Sequence, residues 1–108
     1  MPQQYPFFFG NSTVTSAATA TSLLAQIQAA GFQPTGACVS LNVAYNTDTY
    51  WGYASTVTNT DGALVPANTP VSDSAIGTGS DCVPISQMYV YKAAAGDASG
   101  VIYARFIP

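Results

Sequence analysis

The cleanest alternation of apolar and polar positions runs through residues 38–55, CVSLNVAYNTDTYWGYAS. Val39, Leu41, Val43 and Tyr45 fall on one side of an extended chain, and Ser40, Asn42 and Ala44 on the other. Asn46, Thr47 and Asp48 are turn formers. A second strand is expected over residues 50–57, broken at Gly52, where a bulge or a close backbone approach is expected. The stretch reads as a hairpin around which the fold closes. Leu41, Val43 and Tyr45 are its core side, and Trp51 is the only tryptophan of the chain.

The other elements follow from the same test. Residues 12–21 are rich in Thr and small side chains and read as a short strand or two. In residues 22–30, Leu23, Leu24 and Ile27 share one helical face. Ser22 stands where a helix takes its N-cap, and Gly31 where it takes a left-handed residue. Residues 59–62 form a strong turn. Residues 63–71 read as a short edge strand because of Pro66 and Pro70, and 72–81 as a polar loop. Residues 83–93 read as a strand with Ile85, Tyr89 and Tyr91 in phase, and 94–100 as a hairpin loop. In the last strand, 101–107, Val101, Tyr103, Arg105 and Ile107 alternate with Ile102, Ala104 and Phe106. The pattern predicts a mainly β domain: an antiparallel sandwich or barrel of six to seven short strands, with one short helix near residues 22–30.

Ahead of that domain, residues 1–11 read as an extended aromatic arm. Pro2 and Pro6 favour extended backbone. Tyr5, Phe7, Phe8 and Phe9 are costly to leave in water, so the arm is expected to dock on its own domain or on a neighbour. The rest, 12–108, is read as one β domain. The arm lacks the basic start and long apolar run of a secretory signal. Synthesis in a reducing cytoplasm is the corresponding expectation, and it favours buried thiols at Cys38 and Cys82 over a bridge tying two strands.

Charge narrows the reading. Only 6% of the 108 residues are charged, against about 25% in ordinary soluble proteins. The cations are Lys92 and Arg105. The anions are Asp48, Asp61, Asp73, Asp81 and Asp97, for a net charge of −3. Such a chain offers no basic footprint for nucleic acid and no polybasic patch for a membrane. Two explanations fit so neutral a surface: neighbours cover it in an assembly, or it is a hydroxyl-rich surface facing water.

Candidate chemistry is sparse. Without histidine there is no Ser–His or Cys–His nucleophile. Two separate cysteines cannot complete a zinc set. Each Asp sits among turn residues, where its carboxylate caps backbone N–H groups; acid–base catalysis and a calcium loop over 73–81 are the lesser readings. No catalytic residue, cofactor or metal is expected. Tyr50, Trp51 and Tyr53 read as core and subunit contact, with a sugar-stacking platform as the alternative. With Tyr5, Phe7, Phe8 and Phe9 they are the interface candidates.

The order of elements resembles small structural proteins of tailed-bacteriophage virions, in particular capsid decoration (cement) proteins and related head or tail accessory β domains. The resemblance rests on NSTVTSAATATSLLAQI, CVSLNVAYNT, YWGYAS, TDGALVPANTPV and the closing SQMYVYKAAAGDASGVIYARFI. It implies a non-enzymatic homo-oligomer located in the virion. Its partners would be copies of itself and the major capsid protein or another virion protein. The alternative is a carbohydrate- or receptor-binding domain of a tail or spike.

Overall fold

A computed structural model describes residues 6–15, 19–74 and 83–107. The described residues form eight strands in two antiparallel four-stranded sheets. The strands are β1 Phe7–Val14, β2 Thr21–Ser22, β3 Cys38–Tyr45, β4 Thr49–Gly52, β5 Ala63–Val65, β6 Val71–Ser74, β7 Tyr89–Tyr91 and β8 Ala98–Phe106, with helix α1 at Leu23–Ala29 between β2 and β3. One sheet has the order β1-β8-β3-β6, the other β2-β7-β4-β5. The result is an open sandwich and not a barrel.

Alternation builds the core. In β8, Ile102, Ala104 and Phe106 are buried, whereas Arg105 lies outside. In β3, Leu41, Val43 and Tyr45 are fully enclosed. Cys38 also points inward and Val39 does not, because a bulge between Cys38 and Ser40 breaks the period there. From the second sheet come Val65, Val90 and the inner side of Trp51. Each such aliphatic or aromatic side chain adds about 1.5–3 kcal/mol when fully buried.

Helix α1 forms as its sequence dictates. The Ser22 side chain accepts the Ala25 N–H at 3.2 Å. At the other end Gly31 has φ +98°. Its N–H reaches Gln28 O at 3.0 Å, and the Phe32 N–H reaches Ile27 O at 3.3 Å. That bond pair is a Schellman stop. Leu23 and Ile27 are the buried stripe. The helix touches both β1 and β2, so it closes the side of the sandwich where those two strands are the sheet edges.

Several expectations from sequence need correction. Residues 38–55 are not a hairpin: β3 lies in one sheet and β4 in the other, so the turn at 46–48 crosses the sandwich. The same holds for β7 and β8 around residues 92–97. Periodicity reports which face of a strand is buried, and it is silent on which strand pairs with which. The strand expected over 50–57 stops at Gly52, where Val57 folds back. Residues 71–74, read as edge strand and loop, form β6 and pair with β3. In the segment 83–93 only Tyr89–Tyr91 is strand; Ile85–Gln87 is a 3-10 turn behind Pro84. Finally, β1 starts inside the segment read as an arm. Phe7 to Val14 pair in continuous register with Arg105 to Ala98, so residues 7–11 belong to the sandwich.

Candidate interaction surface

The aromatic residues of β1 divide by the period of the strand. Phe8 turns inward and is 8% exposed. Its ring tilts against Phe32 at 5.9 Å, and Phe32 stacks on Phe106 at 5.5 Å. Burial of Phe8 removes it from the interface candidates. Phe7 and Phe9 turn outward, at 56% and 63% exposure. Both close on Tyr103 of β8: Phe7 stacks on it at 5.6 Å and Phe9 meets it edge-on at 6.0 Å. The outer face of this sheet thus carries a strip of three rings. Tyr5 lies outside the described residues.

The second group does not form one platform. Trp51 packs against the core, opposite Val90. Tyr50, one residue earlier, is on the other face, and Tyr53 is exposed in the bend beyond β4. Pairing supplies Tyr50 with different companions. It lies opposite Tyr91 on one side and Leu64 on the other, with Tyr89 opposite Gly52. The period-two signal of Tyr89 and Tyr91 was visible in the sequence; their partner strand was not.

The space at Gly52, where a close backbone approach is expected, is already occupied by a side chain of the same chain. A Cβ there would stand 2.6 Å from Val57 Cγ2, and one at Gly62 would meet the same side chain. Val57 is 5% exposed and seals that end of the second sheet.

A polar chain fixes the helix against β1. Ser12 Oγ and Tyr45 OH lie 2.8 Å apart in the interior. Ser12 Oγ also donates to Gln26 Oε1 of α1. Gln26 Nε2 donates in turn to Thr13 O at 2.7 Å. Burial pushes the Tyr45 phenol up from 10.0 to about 12, with the Ser12 hydrogen bond acting in the opposite direction.

The charged groups that are described in contact serve the fold. Asp48 Oδ1 accepts the Ala67 N–H at 2.9 Å, and Asp61 Oδ1 accepts the Thr58 N–H at 2.7 Å. Lys92 is buried, its Nζ donating to Ala94 O and Ala95 O, each at 3.1 Å. A shallow groove of about 480 Å³ runs past Thr47, Asp48, Tyr50, Asn59, Ala93 and Ala94; among the described residues Asp48 is the only carboxylate in its lining. Among the described residues no three His, Cys or Asp side chains gather as metal ligands, and no helix is long and apolar enough to cross a membrane. Cys38 is buried and its Sγ donates to Ser40 O at 3.3 Å. Cys82 and the 75–82 stretch, with most of the calcium-loop reading, lie outside the described residues.

No protein-family model, curated protein or solved structure matches the chain.

Proposed function

We propose that this chain is a non-enzymatic structural subunit that assembles with copies of itself. We further propose that the assembly is a tailed-phage virion, with the chain as a decoration subunit stabilising the head. The first part is carried by one observation: Phe7, Phe9 and Tyr103 form an exposed aromatic strip on a nearly uncharged domain. Exposed apolar patches of that kind mark contact surfaces, and aromatic residues with few charges are what interface centres contain. The second part rests on the resemblance of the sequence pattern. In this reading the major capsid protein or another virion protein is the partner, and the chain acts in the virion after synthesis in the host cytoplasm.

A second reading is favoured by a separate observation. Tyr50, Tyr91 and Leu64 lie side by side across three strands of the other sheet. Tyrosine rings on a flat sheet can stack on sugars, as a receptor-binding tail domain would require.

The test is to mix the purified chain with undecorated phage heads and to measure bound copies and head melting. Saturable binding with a raised melting temperature supports the decoration role. Absence of binding to heads, together with glycan-array binding lost on Tyr50→Ala, replaces it with the carbohydrate reading.

A further inference from the structure

Natural sheets blunt their edges, because an unpaired strand is a template for another chain. Three of the four edges here are blunted. β2 has two residues, β5 three and β6 four, and Pro66 follows β5 while Pro70 precedes β6. β1 is the exception. It is eight residues long, FFFGNSTV, with no charge and no proline.

Its free backbone groups can be assigned. The Phe106 N–H donates to Pro6 O at 2.8 Å, so the Pro6 carbonyl points at β8. In an antiparallel ladder these directions alternate. Phe8, Gly10, Ser12 and Val14 therefore exchange bonds with β8. Phe7, Phe9, Asn11 and Thr13 turn their N–H and C=O groups to the open side. The Gln26 side chain reaches Thr13 O from that side, as this assignment requires. Among the described residues, helix α1 thus caps the far end of the edge and Phe7–Asn11 stays open.

We infer that β1 pairs antiparallel with β1 of a second copy, about a two-fold axis through Phe9. The inference rests on the reading of the chain as a self-assembling subunit, and it names the surface. A two-fold pairing brings outward-facing residues opposite one another only in registers that match odd with odd. The open segment is centred on Phe9, which places Phe9 against its mate and Phe7 against Asn11. The two sheets join into one of eight strands. The Phe7–Tyr103–Phe9 strips of both copies then merge on one face, where no like charges on β1 oppose each other. A contact of this size is at the small end of specific interfaces, below about 1,200 Å², so dissociation in the micromolar range is expected.

The experiment is cysteine crosslinking of the full chain. Directly opposed, hydrogen-bonded residues have Cα atoms about 5.5 Å apart, within disulfide reach. In a Cys82→Ser background, Phe9→Cys is expected to give a disulfide-linked dimer under mild oxidation, and Thr13→Cys and the Cys82→Ser chain itself are not. Adding Asn11→Pro to Phe9→Cys removes an outward N–H and no bond to β8; it should lower the linked fraction about tenfold while the sheet signal in circular dichroism persists. Should that variant misfold, a Phe9→Lys chain that sediments as a folded monomer at concentrations where the wild type dimerises makes the same point. Equal crosslinking at positions 9 and 13, or none at position 9 while the wild type still self-associates, overturns the β1 pairing and leaves the assembly reading standing. A wild-type chain that is monomeric throughout overturns both.

Discussion

At the scale of single residues, the buried hydroxyl pair of Ser12 and Tyr45 is a sensitive point. Ser12→Ala leaves the Tyr45 phenol in the interior without that partner, at a cost of about 1–3 kcal/mol by urea unfolding. Tyr45→Phe removes the phenolic oxygen itself and leaves Ser12 bonded to Gln26. It should cost about 1 kcal/mol. The pair also predicts alkaline behaviour. The folded phenol titrates near 12 and the unfolded one near 10.0. The neutral form is therefore favoured in the fold. Its contribution is complete below pH 10 and lost as pH rises through 12, by up to about 2–3 kcal/mol. Tyr45→Phe should flatten that loss relative to wild type in unfolding curves taken across pH 10–12. The sequence displayed Tyr45 as a core residue by its phase with Leu41 and Val43. That Ser12 would be its partner was not legible, because 33 residues separate them.

At the scale of elements, local signals and long-range pairings part company. The cap of α1, its stop at Gly31 and the inward faces of β3 and β8 are dictated by residues within a few positions, and these were readable. Strand partners are set by tertiary packing. The turn at Asn46–Asp48 looks like a hairpin turn in sequence, yet it carries the chain from one sheet to the other. Gly100 shows what does hold β3 in place. It lies opposite Tyr45 where β8 runs against β3, and a Cβ there would strike the Ala44 carbonyl and the Tyr45 ring. Gly100→Ala should destabilise at or above the upper end of the ~1–3 kcal/mol cost of overpacking. A thermal melt checks this, and a variant as stable as wild type would show that β3 and β8 are less closely apposed. Aromatic arm and docked strand are likewise one element: the prolines and rings of residues 1–11 announced extended backbone, while only the register with β8 shows that residues 7–11 pair within the same domain.

At the scale of the molecule, the low charge, the outward rings and the single unblunted edge point the same way. Composition made the neutral surface plain from the start. Which aromatic residues remain outside required the fold: Phe8 and Trp51 turn in, Phe7, Phe9 and Tyr103 turn out, and Val57 closes the place at Gly52 that looked open. An exposed Phe7 and Phe9 each stand to recover about half of the ~1.5–3 kcal/mol of full burial when a second copy covers them. The most direct test of self-assembly is sedimentation velocity of the full chain from about 1 to about 100 μM, a range that brackets micromolar dissociation. As concentration rises, the 11.1 kDa species should give way to a species of twice that mass or larger. An unchanged 11.1 kDa monomer across the whole range would contradict self-assembly.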